Sequence, residues 1–331
     1  MNEPVLSVCD LRVEFRTRRG ALTALDQVSF DISRGEILGV VGESGAGKSV
    51  TGAAVIGLID PPGRIAGGEI RLNGERIDNL APEALRRLRG KRIGMIFQDP
   101  LAALNPLYTI GAQLIETIRI HLGMTVRQAR QRAIDLLAEV GVPSAAQRID
   151  AYPHEFSGGL RQRAMIALAL CAEPELLIAD EPTTALDVSV QAQIIELILK
   201  LRRDHGTAVM LITHDMGVIA EAADRVAVMY AGRIAEIGFA RDVITAPLHP
   251  YASGLMRSIP SLDAKSDRLM QIAGAMPRLS AIPAGCAFHP RCPHAFERCR
   301  FERPEPKPIA GRDDHIVACH LHDAPSREAA A

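Results

Sequence analysis

No apolar run in this sequence approaches the about 18 residues that a helix needs to cross a bilayer. A spanning role is therefore not expected, and any membrane association has to come through a partner. The opening stretch MNEPVLSVCDLRVEF lacks a basic segment followed by an apolar core, so it does not read as a secretory leader. A dominant charge is lacking as well. Lys and Arg number 38 against 39 Asp and Glu, a formal net charge of -1. That balance argues against nucleic acid or an anionic membrane surface as the main partner. Short basic runs such as RRLRGKR (86–92) then read as solvated helix faces. No internal repeat is visible. What is present is 331 residues, 47% hydrophobic and 23% charged. That suits a cytosolic globular protein with a sizeable core, as one large domain or two smaller ones.

The patterning is α/β. EILGVVG (36–42), RIGMIFQ (92–98), LLIADE (176–181), AVMLITH (208–214) and RVAVMY (225–230) are short apolar runs bounded by polar or turn residues. This is how buried strands of a mostly parallel sheet read. Helical periodicity lies between them, in KSVTGAAVIGLI (48–59), VRQARQRAIDLLAEVG (126–141) and QAQIIELILKLRRDHG (191–206). The last ends in basic residues and a Gly, a good helix stop. Residues from about 100 to 160 show helical patterns without a convincing strand, which predicts a helical insertion. From about 247 Pro becomes frequent, which predicts an irregular appendix over 247–331 after a main domain over 1–246. The final APSREAAA reads as frayed.

GESGAGKS (42–49) follows an apolar strand and opens a helix, the context in which G-x-x-x-x-G-K-[ST] binds phosphate. Gly42, Ser44, Gly45 and Gly47 belong to a loop whose N–H groups can face phosphate oxygens, and the helix dipole adds to their pull. Lys48 can reach the β- and γ-phosphates, and the Ser49 hydroxyl can ligate Mg²⁺. In LLIADEP, Asp180 ends a buried strand and suits a carboxylate that holds Mg²⁺. Glu181 follows it, placed to polarise an attacking water. FSGGLRQR (156–163) supplies a second anion-facing helix start, with Ser157 ahead of Gly158 and Gly159. One nucleotide needs one phosphate cradle, so a second suggests a nucleotide held between two protomers.

With these motifs in order over residues 5 to about 240, together with Gln98 in IFQDP, ALD (185–187) and His214 in ITHD, the chain resembles the ATP-binding-cassette ATPases. The resemblance implies a P-loop cassette with a mostly parallel core sheet, an antiparallel β subdomain and a helical subdomain at about 100–160. It also implies two cassettes paired head to tail. Ser157 and Gly159 would face the γ-phosphate held by the partner's loop, and His214 would contact that phosphate. Gln98 would sense Mg²⁺ and the attacking water, and Asp187 would communicate across the dimer. ATP would close the pair and hydrolysis would reopen it. Phe15 either stacks on adenine or is an ordinary core aromatic. The signature has Leu160 where Gln is usual. The Ser and glycines are retained, so activity is expected.

QDPLAALNPLYTIGAQL (98–114), DEPTTALDVSVQAQI and HPYASGLMRSIP (249–260) are similar to the ATPase subunits of dipeptide and oligopeptide permeases, a subclass shared with nickel and glutathione importers. That implies a second, homologous ATPase subunit, two integral membrane subunits and an extracytoplasmic substrate-binding protein. The expected place is the cytoplasmic face of the inner membrane, peripherally bound. A homodimer is the alternative to the heterodimer. A rival from another class is a cassette ATPase that serves DNA repair or the ribosome, which usually carries two cassettes or a long coiled coil.

Four of the six cysteines, Cys286, Cys292, Cys299 and Cys319, fall within 34 residues. Their spacing, C-x5-C-x6-C-x19-C, has no C-x2-C pair and matches neither a zinc ribbon nor a common ferredoxin run. Disulfides are disfavoured in the cytosol. Buried thiols, Zn²⁺ (with His289, His294, His320 or His322 able to replace a Cys) and a [4Fe–4S] cluster stay open on the residues alone. Resemblance to the C-terminal region of peptide-permease ATPases implies a [4Fe–4S] cluster with a structural role. Cys9 and Cys171 read as ordinary buried residues.

Overall fold

All five short apolar runs form strands: Ile37–Val41, Ile93–Ile96, Leu176–Asp180, Ala208–Ile212 and Arg225–Tyr230. Every residue of Leu176–Asp180 and of Ala208–Ile212 is buried, which is why these runs show no alternation of apolar and polar positions. The computed structural model describes residues 3–18, 20–183, 187–258 and 272–323. The tail APSREAAA and most of SIPSL (258–262) therefore lie outside the described residues. The chain divides into two compact units, each assembled from separated segments.

The first unit comprises Met1–Ser7, Asp31–Ile37 and Arg71–Ile212. Its strand Leu176–Asp180 is paired in parallel with Ile93–Ile96 on one side and with Ala208–Ile212 on the other. Residues 100–160 are helical in every regular element described: Pro100–Ala103, Ile110–Leu122, Val126–Glu139, Ala145–Arg148 and a 3-10 turn at Pro153–Glu155. Thr125 and Gln128 close a capping box on Val126–Glu139, and Thr109 caps Ile110–Leu122. The long helix Val188–His205 ends at Gly206 in the left-handed conformation, the stop its sequence predicts.

The second unit comprises Val8–Phe30, Leu38–Ile70 and Thr213–Ala331. Leu38–Val41 runs parallel to Arg225–Val228, and Arg233–Phe239 returns antiparallel to Arg225–Tyr230. Leu6–Thr17 lies between Gly20–Ile32 and Gly63–Leu72 in a separate sheet. Helix Lys48–Val55 is shorter than the periodicity through residue 59 suggests, because Gly57 turns into the left-handed region.

The appendix differs from expectation. It contributes strands Arg312–Val317 and Lys307–Ile309, the first paired with Arg233–Phe239 through Glu236 opposite Val317. Pro-rich composition hid them because the flanking segments are irregular. Buried Glu236 anchors this region. Its carboxylate accepts from His315 Nε2 at 2.7 Å, from the Leu248 amide at 3.0 Å and from the His249 amide at 2.7 Å. Cys171 is buried as expected, but Cys9 is exposed. Asp10, at φ +47°, breaks the alternation of its strand, so positions 9 and 10 both face outward.

Candidate nucleotide site

In the second unit, residues 42–47 turn between strand Ile37–Val41 and helix Lys48–Val55. Gly42, Gly45 and Gly47 hold φ of +152°, +84° and +107°. These values are open to Gly at little cost and strained for other residues. A Cβ on Gly42 would also collide with the Met229 carbonyl. Lys48 is 6% exposed. Its Nζ donates to the carbonyls of Gly42 at 2.8 Å and Glu43 at 3.2 Å, which replaces the water the ammonium has lost. Ser44 and Ser49 are exposed, Ser49 in the first helical turn.

Sequence reasoning missed the residues that hold this loop from behind. The Glu43 amide donates to the Tyr251 hydroxyl at 2.8 Å, and Arg291 grips the Glu43 carboxylate through both terminal nitrogens, at 2.7 and 2.8 Å. Tyr251 lies in HPYASGL and Arg291 in HPRC, both conspicuous only as family-like strings. His214 is exposed just before Asp215, whose carboxylate accepts from the Gly217 amide at 2.8 Å and caps the next helix. Phe15 is half-buried. A Cβ added to Gly63 would lie 2.8 Å from its ring, so the ring has a core-like neighbour.

In the first unit, Asp180 ends its strand with 7% exposure. Glu181 follows at φ +48°, a left-handed conformation that a glutamate adopts only under constraint. Its amide donates to the Ile212 carbonyl at 2.8 Å, and Gln98 Nε2 donates to its carboxylate at 3.1 Å. The structure thus brings Gln98 and Glu181 together. Ser157 caps helix Gly158–Leu170, its hydroxyl accepting from the Leu160 amide at 3.4 Å. Gly158 has no side-chain or remote backbone neighbour within 4 Å of a built Cβ, so this helix start is open. Buried Gln162, on the same helix, donates to the Pro182 carbonyl at 2.5 Å and ties the helix to the Asp180–Glu181 loop. Asp187 caps Val188–His205. The Val190 amide first, and then the Ser189 hydroxyl, hold its carboxyl below the usual carboxylate range. Ala185 and Leu186 of ALD lie outside the described residues.

Over 97% of its length the chain is 46% identical to the dipeptide transport ATP-binding protein DppD of Escherichia coli (strain K12), of which 98% is covered. The chain belongs to the ABC transporter family. A model described as ABC transporter matches residues 25–184 of this ABC ATPase, and one described as oligopeptide/dipeptide transporter, C-terminal region, matches 235–299. The oligopeptide transport ATP-binding protein OppD of Salmonella typhimurium (strain LT2) is 50% identical over 91% of this chain and 89% of its own. Among solved structures, the dimeric post-hydrolysis state of the ATP-binding cassette MJ0796 bound to ADP and Pi aligns with a TM-score of 0.65 and 26% identity. It covers 71% of this chain and 99% of that one. Among the described residues of the ABC ATPase, no helix is long and apolar enough to cross a membrane.

The cysteine expectation fares less well. The Cys286 amide donates to the Cys299 carbonyl at 2.9 Å, and Cys286, Cys292 and Cys299 lie near enough to Cys319 to act on its thiol. Burial pushes the Cys319 thiol up to about 11 and raises Cys286 and Cys292. Among the described residues no three His, Cys, Asp or Glu side chains are arranged to hold a metal ion. The [4Fe–4S] cluster, and Zn²⁺ as its alternative, are therefore not supported by this arrangement.

Proposed function

We propose that this ABC ATPase is the subunit that powers import of dipeptides or oligopeptides through a membrane transporter. The observation that carries the reading is near full-length similarity to dipeptide and oligopeptide transport ATP-binding proteins, through the C-terminal region as well as the cassette. Its partners would be a second homologous ATPase subunit, two integral membrane subunits and an extracytoplasmic binding protein. Its place would be the cytoplasmic face of the inner membrane.

The residue roles belong to the same proposal. The amides of Gly42, Ser44, Gly45 and Gly47, together with Lys48, would bind the phosphates of ATP. Ser49, Gln98 and Asp180 offer oxygen ligands, the donor type Mg²⁺ prefers, and Mg²⁺ would neutralise developing phosphate charge. Glu181 would polarise the attacking water, with Gln98, already bonded to its carboxylate, orienting it. His214 would contact the γ-phosphate and Phe15 the adenine. Ser157, Gly158 and Gly159 would complete the site of a partner cassette, across which Asp187 would signal. The finer reading of Cys286, Cys292, Cys299 and Cys319 as [4Fe–4S] ligands, with Zn²⁺ as the alternative, rests on resemblance and on the closeness of the thiols. Iron, sulfide and zinc analysis after anaerobic purification tests it, and a colourless protein with stoichiometric zinc overturns the iron assignment.

Reconstitution with membrane subunits and binding protein tests the transport reading. Peptide should stimulate ATP hydrolysis. Native co-purification that yields no integral membrane protein would sink it.

A further inference from the structure

Glu43 occupies an x position of the G-x-x-x-x-G-K-[ST] loop, yet three of its groups are held. Its carbonyl accepts from Lys48, its amide donates to Tyr251, and its carboxylate meets Arg291 in a two-pronged ion pair. The Arg291 side chain is 6% exposed. It is fixed on every side. Its Nε donates to the Ala273 carbonyl at 2.8 Å, Nη2 to that of Ile272 at 3.3 Å, and its guanidinium lies 5.8 Å from the ring centres of both Tyr230 and Phe288. Those rings join Tyr251 in one cluster, with Tyr230 at 4.7 Å and Phe288 at 5.4 Å from the Tyr251 ring. A buried guanidinium held this firmly is a poor electrostatic reserve but a good mould, because its planar fork imposes position on the carboxylate it meets.

We propose that Arg291 is a positioning residue for ATP: through Glu43 it holds the phosphate loop in its binding shape, so that the C-terminal segment sets nucleotide affinity. The inference rests on residues 42–49 being the ATP phosphate site. A loop already held in the bound shape loses less freedom when ligand arrives. Releasing the loop should weaken ATP binding while the chemical groups stay intact. Arg291→Met keeps the stem and deletes the fork. Glu43→Gln breaks the same pair from the loop side, without touching the appendix.

The test measures a fluorescent ATP analogue, with ATP as competitor, on the full chain, and steady-state hydrolysis in the assembled transporter. Either substitution should raise Kd and KM about tenfold, within the usual range for coupled sites, with kcat changed by less than about twofold. The double variant should be no weaker than either single, because both remove one interaction. Parent-like nucleotide affinity in both variants, or losses that simply multiply in the double, overturns the proposal. If Arg291→Met fails to fold, Glu43→Gln decides. Lys48→Ala run in parallel separates the two readings. If it binds nucleotide normally, the phosphate-site assignment itself is wrong. If it alone loses binding, only the role of Arg291 falls.

Discussion

The two glycine-bearing helix starts present the same backbone chemistry in opposite settings. The start at Lys48 is enclosed: its glycines take left-handed conformations, its lysine is buried, and Arg291 and Tyr251 brace it. The start at Gly158 is exposed and unobstructed, capped by Ser157, and the cation of its first turn, Arg161, is turned to the Pro153 and His154 carbonyls. An enclosed start with a lysine can bind an anion alone. An open start offers N–H groups and a dipole but lacks the walls that keep water out. On the proposed reading, the first is the receptor and the second the face that closes on a neighbour's ligand.

The largest effect should come from Lys48→Ala. Hydrolysis should fall by about 10²–10³-fold, the usual loss for one transition-state donor, and nucleotide binding should weaken with it. Ser157→Arg should abolish most hydrolysis by obstructing the open start, while nucleotide binding by the single chain stays within about twofold, judged by the same fluorescent titration. Equal loss of binding in both variants would erase the contrast. A third test compares glycines. Gly42→Ala meets the Met229 carbonyl at a left-handed φ and should cost about 1–3 kcal/mol, seen as a lower melting temperature. Gly158→Ala should cost nothing measurable, since its added methyl enters open space.

The smallest effect is a pH dependence confined to the braced start. His249 is buried at 3% exposure and caps the helix that carries Tyr251, its Nδ1 accepting from the Tyr251 amide. Burial first, and the charge of His322 second, depress its pKa to about 3. The unfolded chain therefore takes up a proton near pH 6.5 that the folded chain refuses. The stability this residue contributes is complete above about 6.5 and is lost as pH falls toward 3, by at most about 1.4 kcal/mol per unit. His249→Asn keeps a capping acceptor and removes the titration, so its melting temperature should fall less between pH 7 and 5 than the parent's.

What was legible in the sequence was local. A buried strand, a glycine turn and a helix start are contiguous, so 36–55 and 176–181 announce their shape. The helical character of residues 100–160 was equally plain from periodicity. What escaped was set by distant partners. Arg291 and Glu43 are 248 positions apart, and no periodicity links them. Strand Arg312–Val317 is polar over its first half because Arg312, Asp313 and Asp314 stay exposed, so its pattern is too weak to stand out among prolines. The outward turn of Cys9 follows from one left-handed residue beside it, which an aspartate does not advertise. The cysteines show the limit of clustering as a signal, since closeness in sequence alone does not say what, if anything, four thiols hold.

The pairing of Arg233–Phe239 with Arg312–Val317 bears on how the protein could be cut down. Were the chain trimmed to the cassette, that strand would become a sheet edge with open N–H and C=O groups, a template for self-association. The intact protein ends this side instead with Lys307–Ile309, three residues long, with an exposed lysine and a proline that has no N–H to offer. A minimal cassette made by truncation should therefore self-associate more readily than the longer chain, with the exposed edge of Arg233–Phe239 as the cause.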